Sequence, residues 1–317
     1  MREDASLTAG LLVASDLAGH PSHGVLRVAG YLDAIARGAT DPRGVPQLVR
    51  DQDATAIVDG GLALGQVVGR FAAAEAIARA RRHGIACVAV RRSCHAGRLA
   101  HFSEQIAMAG QIGIVVANDA GASQVVAPPG ATVARLSTNP LALAAPRADG
   151  RLFSLDMSTS VVSAGKLRVR REQGDPVPEG WELSGVLQAL GGYKGFGLAL
   201  AVEILAGVLT QAGHATAEAA ALARDDEQGM TLIAIEIARF LTVDELERRY
   251  EELAAYVRSA PLVAGAPPIA LPGERGEAES RRNRELGVVL TGPTLEQLGE
   301  ACARAGVATP RSAPQPR

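Results

Sequence analysis

The sequence predicts an α/β protein with a mixed sheet, and two observations support this prediction. Between residues 55 and 118, segments with the apolar spacing of a helix alternate with short apolar runs typical of buried strands. Between residues 125 and 160, short β-like runs are broken by Pro and Gly and leave no room for crossover helices, which indicates hairpins. Because aromatic residues make up only 3% of the chain, the core must be built from Ala, Val, Leu and Ile.

The first half of the chain gives a helix, a proline-marked turn and then alternating elements. LTAGLLVASDLAG has helical spacing, and HPSHG leads into a second helix that ends at Gly38. TAIVDGG predicts a strand, QVVGRFAAAEAIARARRHG a helix ended by Gly84, and IACVAV a buried strand. A helix over 97–110 precedes the strand IGIVVAND.

In the second half, a helical pattern returns over 161–171, and the longest apolar helix covers about 196–209. MTLIAIEIARFL predicts a strand, and the next segment predicts an amphipathic helix capped by Thr242 or Asp244. PPIALPGERG predicts a strand and loop, and TLEQLGEACARAGV predicts a last helix. The Pro-rich tail, 309–317, is predicted to be disordered.

Composition argues against several classes of protein. A net charge of −2 does not provide the basic surface that phosphate neutralisation needs, so no nucleic-acid partner is expected. The arginine run at 281–284 is predicted to be a solvated helix face. No apolar run is long enough to cross a bilayer. Three cysteines without a CxxC pair suit a reducing compartment, and no signal peptide is recognised, so a cytoplasmic protein is expected.

The loop RRSCHAGR contains the first candidate for chemistry. Neighbouring residues of an extended chain point to opposite faces, so Cys94 and His95 make a poor metal pair, and no metal site is predicted. Sequence adjacency alone also does not make Cys94 a nucleophile activated by His95. His95 follows a strand at its carboxyl end, where α/β proteins place their sites, and an imidazole suits proton transfer near neutrality. A surface histidine without a role explains the pattern about equally well.

Three further segments are candidate binding regions. If the chain is helical after Ser22, then His23, Arg27 and Tyr31 lie on one face, and an arginine there matches the geometry of a carboxylate. LSTNPLAL and LDMSTS offer hydroxyls, an amide and a carboxylate at strand ends, and Lys194 lies at a glycine-rich helix entrance that favours phosphate. On the residues alone, an ordinary helix N-terminus with exposed polar residues is the favoured interpretation of the first segment. Turn chemistry explains LSTNPLAL and LDMSTS nearly as well, and a tightly packed helix start is the alternative for Lys194. No Rossmann or Walker fingerprint is present, so any dinucleotide binds by another route.

Taken in order, these segments resemble the type 2 malate/L-lactate dehydrogenase family. The segments that carry the resemblance are SDLAGHPSHGVLRVAGYL, SCHAG, IGIVVAND, VAPPG, STNPLALAAP, LDMSTS, GK, VPEGW, GGYKGFGLALAVEILAG and LPGE. They extend over residues 10 to 308, and the family also contains ureidoglycolate, sulfolactate and Δ1-piperideine-2-carboxylate oxidoreductases. The resemblance implies a non-Rossmann fold with a mixed-sheet cofactor domain and a helical substrate and dimerisation domain.

The resemblance also implies a division of the chain and a set of roles. Residues 1–60 would form the helical part of the substrate domain, 61–220 the cofactor domain and 221–308 a C-terminal α/β part. His95 would be the catalytic acid/base, accompanied on the substrate side by Ser22, His23, Arg27 and Tyr31. The implied cofactor-binding residues are Asn118, Asp119, Thr138, Asn139, Asp156, Met157, Ser158, Lys194, Pro272, Gly273 and Glu274.

The function expected from this resemblance is hydride transfer between NAD or NADP and a small 2-hydroxy or 2-oxo acid, in a homodimer that shares its active site. The sequence departs from the family in four places. A helix before Leu7 is missing, Ser137 replaces the usual glycine, a stretch between Trp181 and Gly191 is shortened, and RRSCHAGR differs from the Asn-containing loop of the malate and lactate enzymes. The missing helix and the shortened stretch motivate one alternative, a nicotinamide-binding member without turnover, and the RRSCHAGR loop motivates another, a member with altered substrate choice. A hydrolase dependent on Cys94 is a third alternative.

Overall fold

The computed structural model describes residues 2–172, 174–183, 185–222 and 227–309. Ten α-helices are found in these ranges: α1 Arg2–Leu17, α2 Val28–Ala36, α3 Gly65–His83, α4 Ala100–Met108, α5 Ala164–Glu172, α6 Tyr193–Val202, α7 Ala217–Leu222, α8 Val243–Arg258, α9 Glu274–Leu286 and α10 Gly292–Arg304. Nine strands are found: β1 Gln47–Gln52, β2 Thr55–Asp59, β3 Ile85–Ser93, β4 Gln111–Asn118, β5 Leu141–Pro146, β6 Leu152–Met157, β7 Glu182–Leu183, β8 Val186–Leu187 and β9 Gln228–Glu236. Of the predicted disordered tail, residues 310–317 lie outside the described ranges.

Seven of the strands form one mixed sheet in the order β1-β2-β3-β9-β4-β5-β6. Only β2 and β3 are parallel, and every other neighbouring pair is antiparallel. The α/β class with a mixed sheet is therefore confirmed. The hairpin predicted in the middle of the chain is confirmed by β5 and β6, which pair from Leu141↔Met157 to Pro146↔Leu152.

Strand β9 occupies the centre of the sheet and brings the ends of β3 and β4 together. Both neighbours run antiparallel to it, with Ser93 opposite Gln228 and Asn118 opposite Gly229. The carboxyl ends of β3 and β4 therefore lie at the same edge of the sheet, beside the start of β9.

Helix α3 packs on the sheet through small side chains. Ala72, Ala73, Ala76 and Ala80 have no exposed surface and belong to one core cluster with the valines of β3. A Cβ atom at Gly69 would lie only 2.3 Å from the ring of Phe102, so the glycine makes room for this buried aromatic residue. A core built from small aliphatic residues was predicted from the scarcity of aromatic residues, and it lets helix and sheet approach closely.

The predicted ends of two helices are confirmed. Gly84 follows α3 in the left-handed conformation at φ +88°, where glycine avoids the clash that a side chain would have. Thr242 accepts a hydrogen bond from the backbone N–H of Glu245 and so caps α8. The arginine run at 281–284 lies on α9, where Arg281 and Arg282 are exposed and pair with glutamates of the same helix.

One predicted strand was wrong, and one strand of the sheet was not predicted. Residues 267–273 form a loop and no strand, because three prolines in this segment remove the N–H donors that a sheet ladder needs. Strand β1 was not predicted, because all six of its residues are exposed and its sequence lacks an apolar alternation.

The sheet takes β1 and β2 from before residue 61 and β9 from after residue 220, so it crosses both predicted domain boundaries. The division into domains stays a prediction.

Candidate active site

His95 lies two residues beyond the end of β3, in a loop fixed by backbone hydrogen bonds on both sides. The N–H of Cys94 donates to the carbonyl of Ala63 at 3.1 Å, and the N–H of Ala96 donates to Oε1 of Gln228 at 2.8 Å. The side-chain amide of Gln228 also donates to Asp119, in the loop after β4, at 2.6 Å. Gln228 thus ties together the two loops that leave the sheet at this edge.

The ring of His95 is held between two aromatic rings from the N-terminal region. Its Nδ1 lies 2.8 Å from the hydroxyl of Tyr31, and its face stacks on His23 with ring centroids 5.8 Å apart and an interplanar angle of 13°. Gln66, which is buried at the start of α3, donates from Nε2 to the Tyr31 oxygen at 2.8 Å. The imidazole is therefore fixed by a hydrogen-bonded chain on one side and by a second imidazole on the other.

Burial and positive charge keep both histidines neutral. Desolvation lowers the pKa of His95 well below its ordinary value, and the positive charge of the Arg27 guanidinium lowers it further. The pKa of His23 is lowered to about 3, first by burial and then by Arg27. A neutral imidazole is the form that can accept a proton.

The segment that carries His23 and Arg27 is not the continuous helix that the sequence suggested. Two single 3₁₀ turns, Pro21–His23 and Val25–Arg27, are separated by Gly24 in an extended conformation. The carboxyl group of Asp16 lies beside Gly24, where a Cβ atom would clash with it, and accepts from the N–H of Val25 at 2.8 Å.

This turn still brings the predicted substrate-side residues together. Ser22 Oγ lies 3.0 Å from Nδ1 of His23, and Arg27 Nε donates to the carbonyl of Ser22 at 2.8 Å. Tyr31 reaches His95 from the first turns of α2. His23 and Tyr31 therefore contact His95 directly, and Ser22 and Arg27 are linked to it through His23 and the Ser22 carbonyl, although the four residues do not lie on one helix face.

Cys94 points away from His95. Its thiol is 3% exposed and donates to the carbonyl of Leu62 at 3.1 Å, whereas His95 faces Tyr31 and His23. The geometry gives no thiol–imidazole pair, so it does not support a Cys94-dependent hydrolase. Within the described part of the chain, no group of three His, Cys, Asp or Glu side chains is placed to hold a metal ion.

A cavity of about 610 Å³ opens beside the stacked histidines. Ser22, His23 and Gly97 form part of its wall. Four of the predicted cofactor residues also line it: Thr138, Asp156, Met157 and Ser158. The end of β6 and the loop after β3 thus face the same space, which places predicted cofactor residues next to predicted substrate residues.

A second cavity of about 700 Å³ adjoins the first. It is lined by Leu152 and Ser154 of β6 and by the Pro272-Gly273 turn. Both cavities share the same residues where they meet: His20, Arg98, Asp156 and Arg275. The pKa of Asp156 is raised to about 6 because burial outweighs the hydrogen bond from the N–H of Ala100.

The other predicted cofactor residues do not line either cavity. Asn118 and Asn139 are buried, and both donate to Glu203, so they fix the segment that follows α6. Asp119 accepts from Gln228 and from Ser137, whose hydroxyl lies 2.5 Å away. Lys194 is exposed at the start of α6.

Glu274 is paired with arginines instead of facing the second cavity. Its carboxylate accepts from Arg147 at 3.2 Å and from Arg258, and it also accepts from the N–H of Leu271. Glu274 therefore holds the Pro272-Gly273 turn in place. The roles predicted for all of these residues stay predictions.

The structure adds residues that sequence reasoning missed. Gln66 and Gln228 position the His95 loop, and Lys166 and Arg275 contribute charge to the cavity wall. Only Gln66 carried a sequence signal, a polar residue inside the otherwise apolar start of a helix. The arginines around His95 pair with carboxylates: Arg91 and Arg92 with Asp59, and Arg98 with Glu104.

Among the described residues, no helix has the length and apolar character needed to span a membrane.

The family described as malate/L-lactate dehydrogenase matches residues 1–299 of the chain. Malate dehydrogenase from Pyrococcus abyssi is 34% identical, over 96% of this chain and 89% of that protein. L-sulfolactate dehydrogenase from Methanocaldococcus jannaschii is 32% identical, over 96% and 91%. The solved structure of malate dehydrogenase from Pyrococcus horikoshii OT3 superimposes with a TM-score of 0.88 at 31% identity, covering 98% of this chain and 90% of that one.

Proposed function

The chain belongs to the malate/L-lactate dehydrogenase family and is a 2-hydroxy acid dehydrogenase, and we propose that it transfers a hydride between NAD or NADP and a small 2-hydroxy acid with His95 as general acid/base. The observation that carries the proposal is the imidazole of His95, held by Tyr31 and stacked on His23, which lines the cavity. Malate, lactate and sulfolactate are the candidate substrates.

In this proposal, the residues of the chain bind the acid and move its proton. Arg27 holds the carboxylate of the substrate, while His23 and Tyr31 shape the pocket around C2. In oxidation, His95 accepts the proton of the C2 hydroxyl as that carbon loses its hydride, and the carbonyl forms. In reduction, protonated His95 returns the proton to the carbonyl oxygen. Tyr31 keeps the ring oriented through its contact with Nδ1.

The two adjoining cavities fit a nicotinamide dinucleotide. Such a cofactor supplies the acceptor for the hydride in oxidation and its donor in reduction. Thr138 and Ser158 offer hydroxyl groups in the first cavity, and Arg98 and Arg275 offer guanidinium groups where the cavities meet. A Cβ atom at Gly273 would come within 3.1 Å of the N–H of Ser154, so the turn closes tightly over β6.

We further propose that the enzyme is a cytoplasmic homodimer whose active site is shared between subunits. Leu200, Ile204 and Val208 follow one another at intervals of four residues from α6 into the π-helical turn after it, and all three are exposed. A row of exposed aliphatic side chains is typical of a surface that a partner covers. None of the cysteines Cys87, Cys94 and Cys302 is in a disulfide, which suits a reducing compartment. Sedimentation analysis of the purified protein tests the dimer.

The experiment that tests the function mixes the purified protein with NADH or NADPH and a panel of 2-oxo acids. Loss of the reduced nicotinamide absorbance with at least one acid is expected, and it must depend on His95. Cofactor binding without turnover of any acid would overturn the proposal and would favour a nicotinamide-binding member that has lost activity.

A further inference from the structure

The cavity beside His23 has a cationic wall on α5 that the proposed reaction does not use. Lys166 and Arg170 are one helical turn apart, and both line this cavity together with Ser22 and His23. We infer that Lys166 binds a second anionic group of the substrate, at the end opposite the C2 carboxylate. The preferred substrate is then a dianionic 2-hydroxy acid. This inference rests on the proposed function, which supplies the acid.

Close packing brings α5 against the turn that carries His23. Gly165 lies directly beside Ser22, where a Cβ atom on the glycine would be only 2.7 Å from the Cβ of Ser22. A side chain at position 165 would push the helix away, so the glycine sets the short distance between the two elements. Lys166, the next residue, is thereby placed at the same cavity as the predicted substrate-side residues.

The charges on this wall leave Lys166 available for an anion. Arg170 is occupied, because Nε donates to the carbonyl of Pro176 at 2.7 Å and its guanidinium lies 3.9 Å from Asp175. The ammonium of Lys166 lies 5.8 Å from the ring centroid of Trp181 and has no carboxylate partner among the described residues. The indole steadies the lysine side chain without neutralising it.

The remaining charged groups of the cavity do not neutralise the positive charge of Lys166. Asp175 is the partner of Arg170, and Asp156 accepts from the N-terminal end of α4 at Ala100. Arg98 pairs with Glu104, and Arg275 lies where the two cavities meet, beside Gly273. Of the two cations that α5 contributes to this cavity, Lys166 is therefore the one that no carboxylate among the described residues pairs with, and it directly follows Gly165, which packs on Ser22.

A direct test compares L-malate with L-lactate, which differ by one carboxylate. In Lys166→Met, kcat/KM for malate is expected to fall about 10- to 100-fold, the range for a lost hydrogen bond to a charged group. The value for lactate should change little, because lactate has no group to reach this lysine. Arg171→Gln is the matched control. It removes a positive charge from the same helix, but Arg171 is exposed, pairs with Glu182 and does not line this cavity.

Calorimetric titration of L-malate provides a second measurement that needs no turnover. Binding should be weakened in Lys166→Met, retained in Lys166→Arg, and unchanged in Arg171→Gln. An equal loss for malate and lactate, or a wild-type preference for lactate, would overturn the inference. If the wild-type protein turns over no acid of the panel, the proposed function fails, and the calorimetric comparison still decides whether Lys166 binds the second carboxylate.

Discussion

The hydroxyl of Tyr31 lies 2.8 Å from Nδ1 of His95, although the two residues are 64 positions apart in the chain. Gln66 donates to the same hydroxyl oxygen, so the phenol is oriented before any substrate binds. One ring nitrogen of His95 is engaged with Tyr31, and in the proposed mechanism the other nitrogen exchanges the proton with the substrate oxygen. This relationship gives the first prediction.

Tyr31→Phe should lower kcat for both directions by roughly 10- to 100-fold, because the ring of His95 loses the hydrogen bond that fixes its orientation. The variant keeps the aromatic ring, so the protein should fold as before. Gln66→Leu should produce a smaller loss through the same chain. Steady-state kinetics of both variants test this, and unchanged kcat in Tyr31→Phe would show that the contact does not serve catalysis.

His95→Ala should reduce turnover by about 10²–10⁴-fold, the range for a general acid–base group. The affinity for NADH, measured by fluorescence titration, should stay close to that of the wild-type protein. Together these results separate the loss of a proton acceptor from the loss of the cofactor site. A variant that retains full turnover would rule out His95 as the acid/base.

The pH profile of oxidation should reflect the lowered pKa of His95. Because the folded protein holds this imidazole neutral below its ordinary pKa of ~6.5, the base form persists into mildly acidic solution. The acidic limb of kcat/KM for oxidation should therefore have its midpoint below ~6.5. Profiles recorded with wild-type protein and Tyr31→Phe would test this, and a limb at or above the ordinary value would contradict it.

Asp16→Asn should change how stability depends on pH. Burial raises the pKa of Asp16 to about 6 against the hydrogen bond from Val25, so the folded protein binds this proton more tightly than the unfolded chain. The contribution of protonated Asp16 to the free energy of unfolding is then greatest below about pH 4, and it is lost as the pH rises through about 6. Asparagine keeps an acceptor for Val25 without titrating.

The free energy of unfolding of Asp16→Asn, relative to wild type, should therefore rise with pH by at most about 3 kcal/mol. Urea denaturation at about pH 4 and about pH 7 measures the difference. A constant difference between the two proteins would mean that Asp16 titrates normally. Asp16 also supports the turn that carries His23, so kinetic constants of the variant show whether its effect is confined to stability.

Cys94→Ser should leave kcat/KM close to that of the wild-type protein. The thiol is buried and donates to the carbonyl of Leu62, and a serine hydroxyl can make the same hydrogen bond. Thiol alkylation of the native protein should likewise spare activity. Inactivation in either experiment would restore a chemical role for this cysteine.

Local signals in the sequence were sufficient for many elements but not for the site. Gly84 and Thr242 act within one turn of chain, and both helix ends were predicted correctly. The contact between Tyr31 and His95 joins segments that are distant in the chain, and no periodic pattern in the sequence predicts it. The extended conformation of Gly24 was not predicted, because it depends on Asp16, which lies eight residues earlier on α1. The resemblance predicted which residues accompany His95, whereas the contacts between them are known only from the structure.

The central place of β9 has a consequence for the order in which this protein is made. The ribosome releases β3 and β4 long before residues 228–236, and until then the two strands have no neighbour between them. An N-terminal fragment that stops before β9 therefore exposes two unpaired apolar strand edges, which are prone to aggregation. The His95 loop also lacks Gln228 at that stage. Activity must appear only after the C-terminal part of the nascent chain has inserted into the middle of the sheet.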